Sequence, residues 1–252
     1  MQFANSELTE DGFLGGALRI LQPKNGYRAA TDPVFLAAAT PAKPGETVLE
    51  LGCGAGVASL CLGQRVKNLS LTGVELQPEY AALAARNAAA NGIALAVTTA
   101  DLAALPAQIT ASGYDHVIAN PPYLRQGHGT KATDAGRETA FREATPLSIW
   151  IDVAIRRLNP RGYLTLIHLA ERLPDILAAL DARVGSIAVK PLAARTGQPA
   201  NRVLVQARKS GRAAFRLYAP LILHEGDSHD GDRDTYRPEA RAILRSGARL
   251  PF

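Results

Sequence analysis

Apolar residues recur along this chain in two alternating rhythms. Short runs at residues 48–51, 69–74, 93–98 and 114–119 read as buried strands, and between them residues 57–66 and 78–91 carry the spacing of helices. Pro78 near the start of the second helix and Asn91-Gly92 just past it mark its ends. Beyond residue 146 the alternation resumes with a helix to 158, a turn at Asn159-Pro160-Arg161-Gly162, a strand at 163–168, a helix at 171–182 and strands at 184–189 and 202–207. Strands alternating with helices predict an α/β fold, a mostly parallel sheet covered on both faces.

Ahead of this core, Gly15-Gly16 between Phe13-Leu14 and an apolar run at 18–21 predicts a hairpin over residues 12–23. A short helix follows at 33–39, with Thr31 or Asp32 as its cap, Pro33 at its first position and Pro41 and Pro44 beyond it. Residues 1–46 are thus an extension packed on one domain at 47–252. After about residue 215 the sequence predicts a further strand, a loop rich in Asp and Gly, and a helix opened by Pro238. Arg237, Arg241 and Arg245 share one face of that helix. Asp230, Asp232 and Asp234 alternate as in a calcium loop, but Thr235 replaces the needed glycine and Arg241 the terminal Glu, so no metal site is predicted.

The strand ends carry the candidate chemistry. The first runs into Gly52-Cys53-Gly54-Ala55-Gly56, a glycine turn before a helix, where bare backbone amides can approach a nucleotide closely. Glu50 lies within that strand's end, placed either to meet a ligand's cationic group or to brace the loop. The second strand ends in Glu75-Leu76, 19 residues past Gly56, where a carboxylate can accept a ribose's hydroxyls. The third leads to Asp101-Leu102, a candidate adenine contact or a helix cap. Tyr27, Arg28, Thr31 and Asp32 crowd before the 33–39 helix as candidates to line the same pocket.

The fourth strand delivers Asn120-Pro121-Pro122-Tyr123. Two prolines stiffen the turn before anything binds. The Asn120 side-chain oxygen and the Pro121 carbonyl can then accept the two hydrogens of one planar NH2 group, stabilising positive charge that develops on that nitrogen, while Tyr123 offers a flat face for stacking. The polar stretch at 124–145, with Arg125, His128, Lys131, Arg137 and Arg142, is a candidate lid whose basic residues can meet phosphates. His168, inside an apolar strand, reads as a core histidine.

Composition adds little to this picture. With 252 residues, 47% of them hydrophobic, the chain can bury a full core without staples. Cys53 and Cys61 form no CxxC pair, the N-terminus has no signal-peptide pattern, and no run approaches a membrane span, which predicts a soluble cytoplasmic protein with reduced thiols. A net charge of +5 permits an anionic partner.

Val48-Leu49-Glu50-Leu51-Gly52-Cys53-Gly54-Ala55-Gly56, Val74-Glu75, Ala100-Asp101-Leu102 and Asn120-Pro121-Pro122-Tyr123 together resemble the ordered motifs of class I S-adenosylmethionine-dependent methyltransferases that act on amino groups. Gly26-Tyr27-Arg28-Ala29-Ala30-Thr31-Asp32, Arg202-Val203-Leu204-Val205 and Leu221-Ile222-Leu223-His224 with Tyr236 are similar to the bacterial valine-tRNA adenine-N6-methyltransferase family. The resemblance implies a Rossmann-like, seven-stranded sheet. S-adenosylmethionine would be held by Gly52, Gly54 and Gly56 at its methionine part, by Glu75 at the ribose and by Asp101 and Leu102 at the adenine, with the target amine at 120–123. The acceptor it implies is an anticodon-loop adenine of tRNA, with no metal. The rivals are a glutamine-N5-methyltransferase, a guanine-N2 or DNA adenine target, and a non-catalytic RNA-binding protein that keeps a cofactor pocket. A dehydrogenase fits poorly, because Val57 or Ser59 stands where GxGxxG requires its third glycine.

Overall fold

A computed structural model describes residues 2–125, 142, 143, 145–226 and 235–252. A hairpin, β1 (Leu8–Phe13) and β2 (Leu18–Pro23), leads to α1 (Asp32–Ala39). The core follows as β3 (Thr47–Leu51), α2 (Val57–Arg65), β4 (Ser70–Glu75), α3 (Pro78–Ala90), β5 (Leu95–Thr99), α4 (Ala107–Thr110) and β6 (Tyr114–Ala119). The backbones of β7 (Leu124–Arg125) and β8 (Arg142–Glu143) pair in parallel. The chain continues through α5 (Leu147–Arg157), β9 (Leu158–Leu169), α6 (Leu173–Ala179), β10 (Val184–Ala193), β11 (Ala200–Lys209), β12 (Arg216–Leu217), β13 (Leu221–Ile222) and α7 (Pro238–Ser246).

The main sheet has the order β12-β10-β11-β9-β6-β3-β4-β5, with β13 also on β10. Among the described residues it has nine strands rather than the seven expected, because β12 and β13 each add a two-residue strand beside β10. Runs that short carry no readable period. Strands β9, β6, β3, β4 and β5 are mutually parallel, and β11 runs antiparallel to both β9 and β10.

Period-two alternation sends neighbouring strand residues into two separate cores. Val48, Ile118 and Leu204 pack with α1, α2 and α7, whereas Leu49, Leu51, Val117, Val203 and Val205 pack with α5 and α6. Among the described residues, no helix is long and apolar enough to cross a membrane.

Three local expectations differ from the structure. The hairpin begins at Leu8, four residues early, because only alternate residues of β1 are covered and its polar Thr-Glu-Asp sequence hid the strand. Asn159-Pro160-Arg161-Gly162 is not a separate turn but the start of β9, which carries a register shift against β6 and a left-handed Arg161 at φ +70°. The 171–182 helix is shorter, a 3-10 turn at Ala170–Arg172 followed by α6. The aspartates at 230, 232 and 234 lie outside the described residues.

Candidate active site

Strands β3, β4, β5 and β6 all end at one edge of the sheet, the edge at which open parallel sheets bind ligands. A cavity of about 1030 Å³, counted with its open mouth, lies there. It is lined by Tyr27, Glu50, Gly52, Cys53, Gly54, Ala55, Glu75, Leu76, Asp101, Leu102 and the whole of Asn120-Pro121-Pro122-Tyr123. Three βα ends and the proline turn thus share one opening.

The two glutamates that face this cavity hold the glycine loop and the helix that follows it. Glu75 Oε2 accepts from the Gly54 N–H at 2.9 Å and Oε1 from the Gln77 N–H at 2.9 Å, which leaves each oxygen a lone pair for a ligand hydroxyl. Burial pushes its carboxyl above the ordinary range. Glu50, 3% exposed, accepts from both the N–H (2.9 Å) and the hydroxyl (2.5 Å) of Ser59 in the first turn of α2. It therefore braces the helix that follows the glycine loop rather than the loop itself. Burial raises the Glu50 carboxyl to about 7. Two carboxylates in an apolar, half-closed cavity suit a ligand that brings positive charge.

The glycine loop is shaped by its neighbours. Gly52 has φ +66°, and a Cβ there would lie 2.5 Å from Cη2 of Trp150, the α5 residue that floors the cavity. Asn87 of α3 staples the hairpin to the loop, its Nδ2 donating to the carbonyls of Leu21 and Ala55, both at 3.0 Å. Tyr80 Oη accepts the Tyr27 N–H at 2.7 Å and positions that segment over the cavity. Asp101 spends one oxygen on a cap, accepting the Ala103 N–H at 2.8 Å, so the cap reading is realised at a residue that also lines the cavity.

Four of the residues predicted to line the pocket do not. Arg28 turns to the hairpin, donating to Thr9 Oγ1, the Pro23 carbonyl and Asp11 Oδ2. Thr31 sits at the N-cap of α1 with no side-chain cap bond, its carbonyl accepting from Val34 and Phe35. Gly56, at φ +86°, caps α2 and lets α3 and β5 approach, since a Cβ would lie 3.3 Å from Ala84 Cβ and Leu95 Cδ2. Asp32 neither caps α1 nor lines the cavity; it lies behind the proline turn. Sequence proximity brought these residues together, and the direction of each backbone separates them. Of the basic loop residues, Lys131 and Arg137 lie outside the described residues, and Arg125 and Arg142 are placed only as backbone of β7 and β8.

Sequence reasoning missed most of what holds the proline turn. Tyr123 donates to Asp32 Oδ2, which is also ion-paired with Arg202 Nε at 2.9 Å. The Arg202 guanidinium lies over the Tyr123 ring, 4.7 Å from its centroid, and His168 meets the ring edge-on at 5.2 Å. A planar substrate group therefore finds at most one face of Tyr123 uncovered. His168 Nδ1 accepts the Leu169 N–H at 2.8 Å, so Nε2 carries the proton and donates to the Pro122 carbonyl at 3.3 Å. Burial and the nearby Arg172 charge lower this imidazole to about 4 and keep it neutral at neutral pH. The core reading of His168 holds, but its contact is the turn itself. As placed, the Asn120 amide spans two hydroxyls, with Oδ1 2.8 Å from Tyr123 Oη and Nδ2 3.4 Å from Tyr27 Oη.

The family model described as methyltransferase small domain matches residues 31–187 of the chain. The chain belongs to that family. This methyltransferase is 29% identical over 230 residues to a tRNA1(Val) (adenine(37)-N6)-methyltransferase of Dickeya chrysanthemi, the match covering 87% of this chain and 89% of the relative. It is likewise 29% identical over 224 residues to the protein of that description in Porphyromonas gingivalis, covering 84% and 85%. Among solved structures, a predicted O-methyltransferase from Agrobacterium tumefaciens superposes with a TM-score of 0.70 at 27% identity, over 88% of this chain and 99% of that one. The Thermus thermophilus 16S rRNA N2 G1207 methyltransferase, at 18% identity and TM-score 0.54, covers 80% of this chain and 50% of that one and shares the fold.

Proposed function

We propose that this methyltransferase transfers a methyl group from S-adenosylmethionine to the N6 amino group of an adenine in tRNA, the anticodon-loop adenine of a valine tRNA. The observation that carries the chemistry is the proline turn at the mouth of a cavity with two buried carboxylates. The acceptor is supported by tRNA1(Val) relatives that match more than four-fifths of the chain. The cavity's residues fit the donor: Glu50 and Glu75 offer negative charge, and the turn from Gly52 to Ala55 offers bare backbone. When bound, that cofactor supplies a methyl group already activated by its sulfonium, so no metal or covalent nucleophile is required.

The chain's own residues then align and stabilise. Glu75 would hold the ribose hydroxyls on its remaining lone pairs, and Asp101 and Leu102 would hold the adenine, Asp101 accepting from its amino group and the Leu102 N–H donating to the ring, with Leu76 lining the same cavity. Asn120 and the Pro121 carbonyl accept the hydrogens of the target NH2, which otherwise delocalises its lone pair into the ring, and so favour a pyramidal nitrogen. A base in a folded RNA must be extruded to reach this turn. The basic residues Arg125, Lys131, Arg137 and Arg142 are proposed to meet RNA phosphates.

An acceptor assay tests this reading. Incubation with methyl-labelled donor and, separately, tRNA, DNA and release factor is expected to label tRNA alone, and nucleoside digestion to return N6-methyladenosine. Label in protein only, or on an oxygen, overturns it.

The raised Glu50 carboxyl gives a second test. Near pH 7 a fraction of the free protein carries a proton on Glu50. A cation bound close by favours the ionised form and lowers that pKa, so binding expels the proton. Calorimetry in buffers of different ionisation enthalpy is expected to show net proton release between about pH 6 and 7.5, vanishing above about pH 8.5. Proton uptake, or none, places the sulfonium away from Glu50.

A further inference from the structure

The placement of hydrogens behind the turn can be worked out by counting donors. The Tyr123 hydroxyl has one proton and two neighbouring oxygen positions, Asp32 Oδ2 and Asn120 Oδ1. It cannot serve both. Asp32 is ion-paired with Arg202 at 2.9 Å, and Arg202 also lies against the same ring, so the carboxylate is the stronger claimant and offers no proton in return. The Tyr123 proton therefore goes to Asp32, and the Tyr123 oxygen becomes an acceptor toward Asn120.

An acceptor there requires the Asn120 NH2 group, not its oxygen, at the 2.8 Å position. The two ends of an amide differ little in shape, and their assignment rests on the hydrogen-bond network, so a half-turn of the side-chain amide satisfies every group. Tyr27 Oη, 3.4 Å from the other end, can donate to a carbonyl oxygen as readily as it can accept from NH2, so it does not oppose the turn. The half-turn leaves Oδ1 on the side of Tyr27; Tyr27, Asn120 and Tyr123 all line the cavity.

We infer that Asp32 is a positioning residue: by taking the Tyr123 proton it orients the Asn120 amide, turning its NH2 group to Tyr123 and its carbonyl oxygen to the Tyr27 side of the cavity. Arg202 holds Asp32 in that role from the far end of the network. Without this ordering Asn120 would present donors to an amine that is itself a donor. The inference rests on the assignment of Asn120 to the acceptor amine made above.

A double-mutant cycle reads the ordering. Arg202 Nε donates to the same Oδ2 that accepts from Tyr123, so an amide at position 32 would keep its oxygen there; the acceptor itself has to be removed. Asp32→Ala frees the tyrosine proton for Asn120 Oδ1 and reverses the amide, and is expected to lower kcat about 10- to 100-fold while the cofactor Kd moves less than about threefold. In a Tyr123→Phe background, which cuts the connection, Asp32→Ala is expected to change kcat less than about threefold. Losses that multiply, an unchanged kcat in D32A, or a cofactor Kd weakened tenfold overturn the inference. Neutron diffraction of the deuterated wild-type protein decides it without any variant: deuterons on the Asn120 end facing Tyr123 support it, and deuterons on the end facing Tyr27 overturn it. Failure of the amine-gripping role itself shows separately, as full kcat in Asn120→Ala.

Discussion

Asn120→Ala is expected to lower kcat by about 10²–10³-fold, the cost of removing one preorganised polar contact from a site where charge develops. The cofactor Kd is expected to move less than about threefold, because Asn120 acts on the acceptor nitrogen rather than on the donor. The asymmetry is the informative part. The Asn120 amide is held from behind by Tyr123, itself fixed by Asp32, Arg202 and His168, and all of these contacts are made within the chain itself. An interaction already in place cannot be rebuilt by a water molecule without ordering that water. Truncation should therefore fall on kcat rather than on KM, and single-turnover kinetics with saturating donor separates the two. Retained kcat with a raised KM would mean that Asn120 merely holds the base.

The second large effect is on folding. Gly52→Ala is expected to destabilise the protein by about 2–5 kcal/mol, the sum of about 1–2 for a side chain in the left-handed region and about 1–3 for overpacking. The added Cβ would stand 2.5 Å from Trp150 Cη2 and 2.9 Å from Cζ3, and Trp150 is an 8%-exposed ring on a packed helix, not a flexible side chain. At this size the melting temperature should fall by about 5–15 °C. Gly45→Ala is the matched control. Gly45 also has a positive φ, +88°, but a Cβ there would meet nothing within 4 Å, so only the strain remains. The difference between the two variants isolates the clash. Trp150→Phe, which shortens the ring, should recover part of the G52A loss. Because Trp150 floors the cavity, displacing it should also weaken cofactor binding in G52A but not in G45A. Equal melting temperatures for G52A and G45A would show that Trp150 yields without cost.

The motifs that survived the passage from chain to fold are those whose meaning is local. Gly52-Cys53-Gly54-Ala55-Gly56 needs positive φ at its glycines and takes it, at +66°, +53° and +86°. Asn120-Pro121-Pro122-Tyr123 is stiff because of its own prolines, and it ends β6 as its apolar run predicts. Alternation along β3, β6 and β11 could be read directly, since residues two apart meet the same core. Elements whose identity depends on a partner were not legible. Strands β12 and β13 exist only as two-residue pairings on β10, and β1 carries polar residues on its uncovered face.

The same division runs through the candidate site. Asp32 read equally well as a cap or a pocket residue, and its neighbours Tyr123 and Arg202 stand 91 and 170 positions away. Nothing local distinguishes it from any Asp before a proline. Arg28 stands beside Tyr27 in the chain, yet its guanidinium is held by Asp11 and Thr9 across the hairpin. His168 read as a core residue, and its ring supports the Pro122 carbonyl from a strand 46 positions on. Trp150, the only tryptophan of the chain, gave no sign that it would press on a glycine nearly a hundred residues earlier.

What this sequence determined alone is an α/β chain whose strand ends carry a glycine turn, three acidic residues and a proline-stiffened Asn, because each of these is dictated by backbone sterics and short-range period. The tertiary structure decided which side chains face the shared opening and which stand behind it, since long-range hydrogen bonds and packing settle the rotamer of every polar group. The direction in which Asn120 points its oxygen belongs to the second kind: it follows from Asp32, Arg202 and Tyr123 meeting at one hydroxyl that has a single proton to give.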